Sequence, residues 1–138
     1  MTTPLVGYRA TFTKITRILA MATGTLVVVQ FALAGYGAFG SFQHHKNFGP
    51  HELLGSIIGI FTLLVLIAAV IARPGARTIY QAIILFVLAA PVQPLLADAG
   101  KHHAWVGALH ALVGVIILGA CFGLSMRIRP TADPAPVE

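Results

Sequence analysis

The chain predicts an all-α membrane protein: a four-helix up-down transmembrane bundle made of a tandem two-helix repeat, with both termini on the cytoplasmic side. Three observations lead there. Of its 138 residues, 57% are hydrophobic and only 9% are charged, against about 25% charged in soluble domains. Four charge-free runs, residues 18–43, 53–72, 78–97 and 104–126, each reach the roughly 20 residues a helix needs to cross a ~30 Å hydrocarbon core. Finally, all 6 histidines fall in two look-alike segments, "HHKNFGPHELLG" at 44–55 and "HHAWVGALHALVG" at 102–114. These share the pattern H-x6-H-x-L-x-G-x-I-I, read at His44, His51, Leu53, Gly55, Ile57 and Ile58 and again at His103, His110, Leu112, Gly114, Ile116 and Ile117.

Residues 1–14 read as a cytoplasmic N-terminus, and the first helix is expected over about 15–39. Its basic start and Ala32-Leu33-Ala34 have the outline of a secretory signal. The apolar run exceeds the 7–15 residues of such signals, so a retained helix is expected. The second helix runs from His51 to Ala72 behind Pro50, whose missing N–H does no harm at a helix start. In "RPGAR", Pro74 ends that helix, Gly75 turns the chain, and Arg73 and Arg77 anchor the two helix ends in headgroups. The third helix is expected over 78–97. Pro91 and Pro94 should loosen its outer half and free backbone carbonyls, and Gly35, Gly37 and Gly40 should make the same part of the first helix irregular. The fourth helix spans 104–126. The repeats are therefore 15–72 and 78–126, reinforced by "QFALA" at 30–34 against "QPLLA" at 93–97. Residues 127–138, rich in Pro and Ala, read as a disordered cytoplasmic tail.

Charge placement gives the topology. Arg9, Lys14 and Arg17, then Arg73 and Arg77, then Arg127 and Arg129 all lie on one side of a four-span chain, leaving Lys46 and Lys101 on the other. The positive-inside rule makes the arginine side cytoplasmic and turns both histidine segments outward, as expected in a bacterial inner membrane. The net charge of +5 thus reports orientation and not nucleic-acid binding. Trp105, Tyr36 and Phe42 suit an outer aromatic belt and Tyr80 an inner one. The single Cys121 admits no internal disulfide and reads as a small packing residue.

Helical spacing puts His51, Leu54, Gly55, Ile58, Gly59 and Thr62 on one face, and His103, Gly107, His110, Gly114, Ile117 and Cys121 on another. Each face sets an imidazole beside a glycine notch, open to close packing or to the flat side of a bulky ligand. An imidazole within a bilayer is a functional candidate by default. Two of them on symmetry-related helices suit axial ligation of one haem iron, here haem b held by His51 and His110. Gln30 and Gln93 are placed to bond a propionate, a ligating imidazole or a quinone. By rise per residue, His51 lies about 33 Å from Arg73, His110 about 26 Å from Arg127 and His103 about 36 Å from it. Depth therefore favours His103 as partner and the repeat favours His110; His103 stands as the reserve ligand.

The blander alternative has His51 capping its helix beside Glu52, and His110 bonded to Gln93 or to a carbonyl freed by the prolines. His44, His45 and His102, with His103, form a weak outer site for zinc or copper. Asp98 and Glu52, near Lys101 and Lys46, read as interfacial ion pairs and not as an acid–base dyad. No nucleophile motif or phosphate loop is present. Two functions follow. One is a cytochrome-b-like electron carrier near the outer leaflet that exchanges electrons with a quinone or a larger membrane complex. The other is a non-catalytic accessory or assembly subunit of such a complex, with structural or metal-binding histidines.

The order "VVVQFALAGYGAFG", "PHELLGSIIGIF", "APVQPLLA" and "LHALVGVIILGA" resembles a family of small bacterial four-helix membrane proteins catalogued as a domain of unknown function, over about residues 15–126. More distantly, a histidine at the outer end of helix two and another in helix four is similar to the haem-binding halves of haem A synthases and to two-His membrane cytochromes b. That resemblance implies His51 and His110 as haem ligands. Haem A synthases carry an arginine after the first of these histidines, where this chain has Glu52, and they have two bundles. The resemblance thus implies haem binding without synthase activity.

Overall fold

The computed structural model describes residues 4–40 and 47–128 and places them in four long helices with no strand among them. Helix α1 is Pro4–Phe39 and α2 is Gly49–Ala72. Helix α3 is interrupted: an α-helical part Ala76–Val87, a π-helical turn Leu88–Val92, and a second α-helical part Gln93–Gly100. Helix α4 is Ala104–Arg127. All four are long and apolar enough to cross a membrane, so the chain is a multi-pass membrane protein. His44, His45, Lys46, Phe42, Arg129 and the tail lie outside the described residues.

Helix α1 begins well before residue 15. Pro4 stands at its first position, where no amide donor is needed, and nothing in the basic stretch that follows breaks a helix. The glycines near its other end leave it regular, against expectation. A Cβ on Gly37 would stand 2.8 Å from the Phe48 ring, and one on Gly40 would stand 2.7 Å from both Asn47 Nδ2 and the Tyr36 carbonyl. These glycines let the segment entering α2 fold back on α1. At the arginine end, α2 closes on Arg73 in the left-handed region (φ 50°), and Gly75 (φ 125°) starts α3. Only glycine adopts the latter without strain.

The helices form a ring. α1 packs on α2 and α4, α3 packs on α2 and α4, and the diagonal pairs α1/α3 and α2/α4 bring no Cα atoms within 8 Å. Close approaches use small residues. Gly24 of α1 would place a Cβ 3.3 Å from that of Cys121, and Gly100 would place one 3.0 Å from the backbone of Gly107. Cys121 is a fully buried packing residue of this core.

Burial carries the repeat through the whole bundle. Ile58, Thr62, Val65 and Ala69 of α2 are buried, and so are Ile117, Cys121, Leu124 and Ile128, each 59 positions later. His51/His110 and Gly55/Gly114 keep the same separation. In the other pair, Thr16, Ala20, Thr23 and Val27 of α1 match the buried Thr78, Ala82, Leu85 and Ala89 at a separation of 62, yet Gln30 and Gln93 are 63 apart. The π turn lies between Leu85 and Gln93 and takes up the extra residue, closing on a bond from the Gln93 N–H to the Leu88 carbonyl.

Candidate cofactor site

His51 and His110 sit on the diagonal helices and Gln30 and Gln93 on the other two, all half-buried. Each glutamine is locked to the histidine of its own hairpin by two hydrogen bonds. Gln30 Nε2 donates to the His51 carbonyl at 2.8 Å, and the Gln30 carbonyl accepts from His51 Nδ1 at 3.1 Å. In the second hairpin Gln93 Nε2 donates to the His110 carbonyl at 3.1 Å, and the Gln93 carbonyl accepts from His110 Nδ1 at 3.2 Å. A carbonyl only accepts, so Nδ1 carries a proton in both rings, and in the neutral imidazole Nε2 is the nitrogen with the lone pair. The π turn makes the second clasp possible, because in plain α-helix the extra residue would turn Gln93 by about 100° out of Gln30's place in the repeat.

The glycine notches serve this clasp. A Cβ at Gly55 would stand 3.2 Å from Gln30 Nε2, and one at Gly114 would stand 3.5 Å from Gln93 Nε2 and 3.2 Å from the Phe31 ring. They receive glutamine side chains, which reach past them to the neighbouring helix. Both Gln Oε1 atoms are buried without a partner.

Across the bundle the two imidazoles face each other, with ring centroids 6.2 Å apart and planes inclined at 58°. The depth difference expected from helix rise does not separate them, since the helices need not end at one level. His110 and not His103 is the residue beside His51. His103 is exposed and precedes α4 as its N-cap, and His102 is exposed on the connecting turn. Among the described residues no three His, Cys, Asp or Glu side chains gather around a point that could hold a metal ion. Asp98 forms the expected ion pair, accepting from Lys101 Nζ at 3.0 Å.

The rings border a cavity of about 720 Å³, walled by Phe31, Ile58, Phe86, Ala89 and Ile117 with Gln30, Gln93, Gly55 and Gly114. That volume is within the range of small-molecule and cofactor sites. At the histidine end α1 packs on α2, and the Gln93–Gly100 part of α3 packs on α4. Between α2 and that same part of α3 no Cα atoms come within 8 Å, although α2 packs on the rest of α3. The cavity opens there, between Glu52 and Ser56 on one side and Pro94, Ala97, Asp98 and Lys101 on the other. This opening and the clasp had no signal in the sequence beyond Pro91, Pro94 and the paired glutamines.

The architecture defines a small four-span membrane protein with internal two-fold pseudosymmetry and a cavity between its paired histidines. The chain belongs to a family of unknown function, DUF6220, whose match covers residues 30–101, just over half of the sequence. The matched stretch runs from Gln30 to Lys101 and takes in His51 and Gln93. No curated protein and no solved structure matches the chain significantly.

Proposed function

We propose that the protein is a cytochrome-b-like electron carrier that holds one haem b between His51 and His110. The observation that carries this reading is the 6.2 Å separation of the two rings across the bundle. With metal–nitrogen bonds of about 2 Å, two imidazoles on opposite sides of one metal have centroids about 6.3 Å apart, against about 5 Å at a tetrahedral ion. The Nδ1 bonds support it, because a metal-binding imidazole commonly donates its other N–H to a carbonyl that fixes its tautomer and raises its basicity. The cavity's apolar walls suit a flat macrocycle. His51 and His110 would hold the haem, which would supply one-electron transfer.

Within this reading His51 and His110 hold the iron, Gln30 and Gln93 orient them, and the helices exclude water. Each glutamine Nε2 gives one of its two donors to a histidine carbonyl, which leaves the second donor for a propionate or a quinone. The clustered arginines support a reading with the termini in the cytoplasm and the site near the outer leaflet of a bacterial inner membrane. There a quinone or a larger membrane complex is the electron partner.

The test is the visible spectrum of the purified protein, oxidised and reduced. Soret and alpha bands are expected, lost in His51→Ala and in His110→Ala and kept in His45→Ala and His103→Ala. A protein expressed with ample haem that shows neither band refutes the assignment.

A further inference from the structure

The charged side chains that line the cavity, Glu52, Asp98 and Lys101, all stand where α2 and the last part of α3 part, and all are exposed. Elsewhere the wall is apolar or neutral. Lys101 is the cation of the three. Its Nζ has three donors, of which one serves Asp98 at 3.0 Å. That bond raises the Lys101 pKa above its ordinary 10.5, so the ammonium is charged at neutral pH.

We propose that the ligand lies with a carboxylate edge in this opening and that Lys101 binds one of its carboxylates. The inference rests on the haem reading, haem b being an apolar macrocycle with two propionates on one edge. An ionised carboxylate left in the apolar interior carries a large desolvation penalty, so that edge must reach water or headgroups. At the histidine end the α1/α2 and α3/α4 sides are held by the Gln30 and Gln93 clasps, and from α1 and α4 no carboxylate, lysine or arginine lines the cavity. The charged lining lies on the α2/α3 side, where the helices part, and its cation is Lys101, beside the carboxylates of Glu52 and Asp98. Asp98 holds the ammonium at the lip with two donors to spare. Lys101 is therefore a binding residue for the ligand's acid group, with no part in ligating the iron.

The full-length protein in detergent is titrated with haem b and, separately, with haem b dimethyl ester, which lacks the two negative charges. Lys101→Ala should weaken haem b about 2- to 5-fold, the range of an exposed ion pair, and leave the ester's affinity unchanged. Lys101→Arg should restore haem b binding, and the difference between haem b and ester should shrink at 1 M salt. Equal loss for both compounds, or loss for neither, overturns the role of Lys101 while the haem reading stands. Wild-type protein that binds neither compound overturns both. Lys101 is an exposed turn residue, so the variant's fold is not at issue.

Discussion

At each histidine the neighbouring helix supplies both a carbonyl and an amide, so one glutamine fixes the ring's tautomer and also staples two backbones. The staple is a side-chain bond between helices, which is worth about 0.5–1.5 kcal/mol. Gln30→Leu and Gln93→Leu should each lower stability by that amount, read as the unfolding midpoint in detergent, and should leave the Soret band in place because Nδ1 bonds to a main-chain carbonyl. Loss of the band in either variant would show that the side chain itself places the imidazole. Gly37 has a different task. Adding a Cβ there drives it to 2.8 Å from the Phe48 ring, and Gly37→Ala should destabilise by about 1–3 kcal/mol, as overpacking does, in the same unfolding assay.

Among the elements, α3 separates what the sequence made legible from what it did not. Its span could be read, because charge-free length is a direct measure of membrane thickness, and so could the matching of Gln93 with Gln30, because the residues around them repeat. The prolines marked the place of an irregularity but not its kind. A π turn adds one residue to a helix without changing composition. Its signature is the shift of separation from 62 to 63, which appears only once burial is known. Likewise His51 and His110 were legible from the repeat, whereas depth along the helices pointed to His103, because rise per residue fixes lengths and not the relative levels of helix ends. The glycines of α1 were misjudged for a related reason: they serve the approach of Phe48 and not a break. Deleting Ala90 should remove the extra residue and convert the π turn into plain α-helix, leaving the glutamine 62 positions after Gln30 and still facing His110. The deletion variant should keep the second clasp and its haem b affinity in the same titration, whereas inserting one alanine after Val28 of α1, in plain α-helix, should turn Gln30 by about 100° and break the first clasp.

For the whole molecule, the ring of helices and the charge distribution make one statement about orientation. With both termini at the arginine end, a C-terminal tag should be inaccessible from outside in intact cells and become accessible on permeabilisation; labelling in intact cells would invert the topology. The pseudosymmetry has a further consequence. Neither hairpin contains a complete site: each brings one imidazole, one glutamine and half of the cavity wall, and the two meet across an axis along the membrane normal. A single ancestral hairpin pairing with a copy of itself would make the same enclosure with two identical halves. Fusion into one chain frees those halves to diverge, and here they have done so: one has a longer link between its helices, and the other a π turn in its first helix. The centre stays balanced while the periphery becomes one-sided, which gives an otherwise symmetric compartment a front.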